Sequence, residues 1–252
     1  MLMFDRVSVR LDGKDILKEV SLTLRPHRLT ALVGRNGSGK STLLGCVNQQ
    51  VPYTGELREG EKNLALLPPK ERAKLVAILP QKLPAPHITG WELTAFGRSP
   101  YLDITGRLTE RDKTAVEEAL QLADAVTLAD RFADTLSGGE FQRLTLAMIL
   151  AQNTPIALLD EPTAHMDPSY EGAFLETLNR LKREKKKTFL VVLHDLNQAV
   201  RYADDIVVLD GGRVMFSGTK EDCLSGNTLE ATFGLRRYTA KDETGEHIFF
   251  AP

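Results

Sequence analysis

A glycine-rich segment near the start of the chain has the residue types and spacing of a phosphate-binding loop. Residues 34–41 read Gly-Arg-Asn-Gly-Ser-Gly-Lys-Ser and fit the pattern G-x-x-x-x-G-K-[ST] at every fixed position, between an apolar run and a predicted helix. Glycines let successive backbone N–H groups turn toward an anion, and the helix N-terminus adds partial positive charge. The alternative interpretation is a glycine turn that only precedes a helix.

We expect a nucleotide at this loop because its lysine and hydroxyl side chains can bind phosphate and Mg²⁺. The ammonium group of Lys40 can contact the β- and γ-phosphates, and the hydroxyl of Ser41 can bind Mg²⁺. The predicted nucleotide-binding residues are Gly34, Arg35, Asn36, Gly37, Ser38, Gly39, Lys40, Ser41 and Thr42.

Two adjacent carboxylates follow a second apolar run. Residues 156–159 read Ile-Ala-Leu-Leu and lead directly into Asp160 and Glu161. A buried parallel strand ends at the sheet edge where ligands bind, so we expect Asp160 to hold Mg²⁺ and Glu161 to polarise the attacking water. By itself the pattern favours a strand before a solvated acidic turn. The phosphate loop elsewhere in the chain favours the catalytic interpretation.

A Ser-Gly-Gly elbow provides a second anion-binding helix start. Residues 136–140, here called the signature segment, read Leu-Ser-Gly-Gly-Glu and precede a helix predicted over residues 139–152. The N–H groups of a helix N-terminus attract anions, but one nucleotide does not need two such ends. The alternative is a simple cap, in which Ser137 or Gly138 satisfies the helix start.

The elements that must position these residues alternate in a way typical of an α/β protein. Short apolar runs such as Leu29–Val33 and Phe189–Leu193 alternate with amphipathic helices, which predicts a mixed, mainly parallel sheet covered by helices. The N-terminus reads as an antiparallel β part, and the tail as a hairpin near residues 244–245. We expect one domain over residues 1–252, with a nucleotide-binding core at 1–83 and 156–252 and an inserted helical subdomain at 84–155.

Composition excludes several other classes of protein. The net charge of −2 argues against broad nucleic-acid binding, and two cysteines are too few for a disulfide scaffold. The longest apolar run has six residues, Leu146–Ala151, whereas a membrane-spanning helix needs about 20. Charged residues at the N-terminus argue against a signal peptide. The basic run Lys182–Lys187 is expected to be a solvated helix end.

These motifs together resemble those of an ATP-binding subunit of an ABC transporter. The likeness extends over nearly the whole chain and includes the phosphate loop, the signature segment and four further positions: Gln81, Asp160-Glu161, Asp167 and His194. Three segments resemble the subgroup that serves importers of iron–siderophore complexes, haem and vitamin B12: Phe96–Tyr101, Ala147–Asn153 and Leu193–Ala199. The expected fold is therefore a P-loop ATPase with the signature segment in its helical subdomain.

The resemblance implies a mechanism with two copies of the chain. ATP on Lys40 of one copy would be closed by Ser137, Gly138, Gly139 and Glu140 of the other, in a head-to-tail homodimer. His194 would act with Glu161 in catalysis, and Gln81 and Asp167 would couple the site to transport. Mg²⁺ would be held by Ser41, Gln81 and Asp160. The expected partners are two membrane permease subunits at the cytoplasmic face of the inner membrane and, indirectly, an extracytoplasmic substrate-binding protein; nucleic acid is not expected.

The chain departs from the family pattern at two places. Leu11 stands where many such ATPases have an aromatic residue that stacks on adenine, and Ala164-His165-Met166 precedes Asp167 in place of the more usual small residue and leucine. An iron(III)–siderophore chelate is the expected cargo. The alternatives are haem, vitamin B12, and a soluble ABC ATPase that serves no transporter.

Overall fold

The computed structural model describes the backbone of residues 1–164, 168–242 and 245–252. It divides into two compact units. The first unit comprises residues 1–66 and 188–252, and the second unit comprises residues 67–187. The stretch predicted as a helical subdomain, 84–155, lies inside the second unit.

Within the described residues the chain forms twelve strands and nine α-helices. The strands are β1 (Leu2–Leu11), β2 (Lys14–Leu24), β3 (Leu29–Val33), β4 (Thr54–Glu59), β5 (Lys62–Asn63), β6 (Val76–Leu79), β7 (Ile156–Asp160), β8 (Thr188–Val192), β9 (Asp205–Asp210), β10 (Arg213–Thr219), β11 (Arg236–Asp242) and β12 (Gly245–Ala251). The helices are α1 (Lys40–Val47), α2 (Pro69–Ala73), α3 (Gly90–Ala95), α4 (Glu110–Leu122), α5 (Gly138–Ala151), α6 (Pro168–Lys185), α7 (Leu196–Tyr202), α8 (Lys220–Ser225) and α9 (Thr228–Phe233).

The first unit contains an antiparallel sheet and a mainly parallel group of strands. The antiparallel sheet has the order β2-β1-β4-β5. In β2 the apolar Val20, Leu22 and Leu24 are buried, while the polar residues between them are exposed. This alternation is expected for a strand with one solvent-exposed face. Strands β9, β3 and β8 are parallel neighbours, and β10 joins β9 antiparallel. All residues of β3 and β8 are buried, which explains why these strands are apolar except for Thr30 and Thr188.

The second unit pairs two parallel strands with a group of helices. Strand β6 runs parallel to β7, with Leu79 opposite Leu159. Helix α4 begins with a capping box, in which Thr109 and Asp112 satisfy each other's backbone N–H groups. It buries Val116, Ala119 and Leu120, which lie on one face of the helix. Asp112 also pairs with the buried Arg98 at 2.9 Å, which fixes α4 to the turn after α3.

Several sequence predictions are confirmed and one is wrong. The predicted α/β class with an antiparallel N-terminal part is confirmed, and the C-terminal hairpin pairs Arg236 with Ala251 through Asp242 with Gly245. Strands β4 and β10 and helices α8 and α9 were not predicted. The run Lys182–Lys187 is solvated only in part, because Lys187 is 8% exposed and donates to the carbonyl of Thr154 at 2.6 Å. Burial lowers the pKa of Lys187 to about 8.

No helix in the part of the chain that the structure describes is long and apolar enough to cross a membrane. Cys46 is buried, as expected for a small apolar residue, and its burial raises the thiol pKa to about 12.

Candidate functional site

The phosphate loop connects β3 to α1 in the first unit, and two of its glycines occupy positions that leave little room for a side chain. A Cβ atom on Gly34 would lie 2.1 Å from the carbonyl oxygen of Leu209. Gly39 has φ +101°, and a Cβ there would lie 2.6 Å from Leu17. Gly39 is also the N-cap of α1 and makes no side-chain cap hydrogen bond. The N–H groups of the first turn are therefore without a side-chain cap, which suits an anion.

The lysine of the loop is folded over the loop itself. Lys40 is 6% exposed, and its Nζ donates to the carbonyls of Gly34 at 2.8 Å and Arg35 at 3.2 Å. Ser38 is buried beside it, and among the described residues its hydroxyl has no hydrogen-bond partner. Ser41 is exposed at the start of α1, and Thr42 is half-buried. The loop thus concentrates one ammonium group, one buried hydroxyl and several N–H groups around a short turn.

His194 follows the strand next to the one that leads into the loop. Strand β8 is parallel to β3, with Val192 opposite Leu32, and the backbone N–H of Leu193 donates to Leu32 at 3.2 Å. Because parallel strands end at one edge of the sheet, His194 and Gly34 emerge at the same edge. His194 is exposed. Two residues later α7 begins, with Asp195 capping it through a 2.7 Å bond from the N–H of Asn197.

The two carboxylates lie at the end of β7 in the second unit, as predicted. Asp160 is the last residue of that strand and is 5% exposed. Glu161 adopts a left-handed backbone with φ +50° and is half-buried. Its Oε2 accepts a 2.5 Å hydrogen bond from Nε2 of Gln81, which follows the neighbouring strand β6. The structure therefore brings Gln81 and Glu161 together, a contact that the sequence analysis did not predict.

The signature segment forms the start of α5. Ser137 is the N-cap, and its Oγ accepts from the N–H of Glu140 at 3.4 Å. In return, Oε2 of Glu140 accepts from the N–H of Ser137 at 2.9 Å and from its hydroxyl at 2.8 Å. The helix begins at Gly138, one residue earlier than predicted. Apart from the neighbouring residues of its own helix, no residue that the structure describes has an atom within 4 Å of a Cβ built on that glycine. Gly139 is the next residue of the helix.

The carboxylate of Glu140 has a second partner that sequence reasoning missed. Arg131, nine residues earlier, donates from Nη1 to Oε1 of Glu140 at 2.5 Å. The hydrogen bonds from Ser137 and then from Arg131 lower the pKa of Glu140 to about 2. No local pattern marks this pair, because the intervening residues form a turn rather than one helix.

Asp167, together with His165 and Met166, lies outside the described residues. Leu11 is the last residue of β1 and is 36% exposed. Among the residues that the structure describes, no cluster of three or more His, Cys, Asp or Glu side chains could hold a metal ion.

The chain is similar to known proteins in sequence and in fold. Residues 17–164 match the family model described as ABC transporter. The ferric enterobactin transport ATP-binding protein FepC of Escherichia coli K12 is 38% identical over 223 residues, covering 88% of this chain and 82% of FepC. The hemin import ATP-binding protein HmuV of Pseudomonas aeruginosa is 40% identical over 247 residues, covering 93% of each. A dimeric ATP-binding cassette solved in a post-hydrolysis state with ADP and Pi has a TM-score of 0.75 at 27% identity, covering 87% of this chain and 99% of that chain.

Proposed function

Because the chain belongs to the ABC transporter family, as an ATP-hydrolysing subunit, we propose that it powers the uptake of an iron(III)–siderophore chelate. The 38% identity with FepC, a ferric enterobactin transport ATP-binding protein, supports this cargo. The observation that carries the ATPase assignment is the presence of both a complete phosphate loop in the first unit and the Gln81–Glu161 contact in the second.

The phosphate loop holds the triphosphate of ATP. Its N–H groups bind the phosphate oxygens, as at other helix starts that follow a glycine loop. Lys40 is held beside this turn by the carbonyls of Gly34 and Arg35, and it moves its ammonium group to the β- and γ-phosphates when ATP arrives. His194, at the same sheet edge, contacts the γ-phosphate.

Glu161 polarises the water that attacks the γ-phosphate. A carboxylate in this role needs a fixed direction, because general-base catalysis requires hydrogen-bond reach to the proton. The 2.5 Å bond from Gln81 supports that role, since it fixes the orientation of the carboxylate through one of its oxygens. The same bond makes Gln81 suited to transmit movement between the site and a permease subunit.

The donor set predicted for Mg²⁺ fits that ion. Mg²⁺ prefers hard oxygen ligands and is usually bound by one or two carboxylates together with substrate phosphates. Asp160 supplies a buried carboxylate, Ser41 a hydroxyl, and Gln81 an amide oxygen, because its amide nitrogen is engaged by Glu161. When bound, the ion neutralises charge on the β- and γ-phosphates.

Two copies of the chain act together. The signature segment is a second anion-binding helix start, and we propose that its Ser137 and Gly139 close over ATP held on Lys40 of the other copy. The dimeric cassette with ADP and Pi supports this arrangement. Asp167 would couple the two sites. Two permease subunits and an extracytoplasmic binding protein complete the importer.

The experiment that tests the catalytic assignment is Glu161→Gln. It removes the carboxylate while leaving an amide oxygen for the bond to Gln81, so we expect ATP hydrolysis to fall by about 10²–10⁴-fold with ATP binding preserved. Phosphate release and ATP affinity are measured on the purified full chain. Glu117→Gln, on the exposed face of α4, is the matched control. Hydrolysis at the parental rate in the Glu161→Gln variant would contradict the assigned mechanism.

Haem is the second candidate cargo, favoured by the 40% identity with the hemin importer HmuV. The two cargoes are distinguished by identifying the membrane subunit that co-purifies with the chain and measuring uptake of radiolabelled ferric siderophore and of haemin by that complex. Purification free of any membrane partner would instead favour a soluble ABC ATPase.

A further inference from the structure

The signature segment carries a negative charge at the place where it would meet a triphosphate. Oε2 of Glu140 lies 2.8 Å from the hydroxyl oxygen of Ser137 and accepts a hydrogen bond from that hydroxyl. The carboxylate is ionised at physiological pH, and the hydrogen bonds from Ser137 and Arg131 lower its pKa further, to about 2. An anion that approaches Ser137 is therefore repelled by Glu140, and the serine hydroxyl is already engaged.

Arg131 is positioned to offset that charge. Its Nη1 lies 2.5 Å from Oε1, the carboxylate oxygen that Ser137 does not use. The backbone of Arg131 is held in place, since its carbonyl accepts from the N–H of Gly90 at 2.9 Å and its N–H donates to Leu128 at 3.1 Å. A β-bridge between Thr89 and Phe132 adds to this support. The guanidinium group therefore comes from a fixed turn and not from α5 itself.

We propose that Arg131 is a charge-compensating positioning residue for the signature segment. It neutralises Glu140 and draws that carboxylate toward itself through Oε1, so that the hydroxyl of Ser137 can turn from Glu140 to the γ-phosphate of ATP on a second copy of the chain. This inference rests on the proposed function, in which the signature segment acts on the other copy's ATP. The Ser137–Glu140 bond is then the resting arrangement, and the approach of the triphosphate replaces it.

A role limited to folding makes a different prediction. The side chains of Arg131 and Glu140 are 45% and 24% exposed, and ion pairs with such exposure contribute little to stability. If the pair only stabilised the fold, removal of either partner would act alike. If Arg131 compensates charge, removal of Arg131 weakens anion binding and removal of the Glu140 charge restores it.

The test measures ATP-dependent dimerisation of the full chain in a Glu161→Gln background, where slow hydrolysis keeps the closed state populated. Light scattering gives the ATP concentration for half-maximal dimer. We expect Arg131→Ala to raise this concentration by about fivefold, with the smallest effect at high salt. Arg131→Ala combined with Glu140→Gln returns it to the parental value, because the introduced amide keeps an oxygen for the N–H of Ser137 without the charge. Lys113→Ala, which removes a cation from an exposed pair on α4, leaves it unchanged.

The outcomes separate this inference from the proposed function. A parent protein that stays monomeric at saturating ATP would overturn the proposed function and, with it, the role of Arg131. A parent that dimerises while Arg131→Ala dimerises at the same ATP concentration would overturn the inference alone. A double variant as weak as Arg131→Ala would also overturn the inference, because removal of the Glu140 charge would then fail to restore dimerisation. Thermal unfolding of each variant verifies that all of them are folded.

Discussion

The phosphate loop and the signature segment are both glycine-rich helix starts, yet their N-termini are built differently. Gly39 caps α1 without a side chain, and the ammonium group of Lys40 contacts a carbonyl of the same loop. Ser137 caps α5 with its own hydroxyl, and that hydroxyl is hydrogen-bonded to the carboxylate of Glu140. The N-terminus of α1 therefore has N–H groups available for an anion, whereas the N-terminus of α5 is already capped by side chains of its own segment.

This difference indicates an order of events. A helix start with uncapped N–H groups and a cation binds phosphate by itself. A start with an internal carboxylate binds phosphate only after its own hydrogen bonds are exchanged. The phosphate loop is therefore expected to bind ATP in a single copy, and the signature segment to contribute later, when a second copy approaches.

Removal of the lysine from the phosphate loop is expected to have the strongest effect. Lys40→Ala removes the ammonium group and leaves the N–H groups, so we expect ATP affinity to fall by about 100-fold or more and hydrolysis to be lost. Isothermal titration with ATP measures the affinity, and Lys113→Ala is the matched control. Affinity within about twofold of the parent would contradict the role of Lys40.

Lys187 is a second buried lysine, and its contribution to stability can be measured without a nucleotide. The pKa of Lys187 is lowered to about 8 by burial, whereas the unfolded chain has its ordinary value near 10.5. Between these values the unfolded state binds more protons, so the contribution of Lys187 to the free energy of unfolding rises with pH, by on the order of 2–3 kcal/mol up to pH 10.5.

Urea unfolding of the parent and of Lys187→Met at about pH 7 and pH 10 measures this effect. Taking the difference between the two proteins removes the contribution of the cysteines, which act in the opposite direction because their pKa values are raised. If the difference in the free energy of unfolding between the two proteins does not change with pH, the lowered pKa of Lys187 is contradicted.

A weaker effect is expected when the N-cap of the signature segment is removed. Ser137→Ala removes an N-cap, so we expect the free energy of unfolding to fall by about 1 kcal/mol. ATP affinity of the single copy should stay unchanged, because Ser137 does not serve its own phosphate loop, while hydrolysis at saturating ATP decreases. A matching loss of ATP affinity in the monomer would show that the two helix starts do not act in separate steps.

Much of the fold was predictable because the relevant signals are local. The alternation in β2, the buried runs of β3, β7 and β8, and the capping box at Thr109 each depend on residues within a few positions. Strand β10 was missed because its burial alternates weakly at the sheet edge, and α8 and α9 are too short to show a helical period. Lys187 was misjudged because the basic run continues into a residue that tertiary packing covers.

The residues of the candidate site follow from the sequence alone, since phosphate chemistry requires glycines, a lysine and a hydroxyl at fixed spacing. The sequence also indicated that Asp160 ends one buried strand and that His194 follows another. The contact of Gln81 with Glu161 and the pairing of Arg131 with Glu140 are visible only in the tertiary structure. Both contacts depend on how neighbouring strands and turns are held together, and side-chain hydrogen bonds of that range have no periodic pattern along the chain.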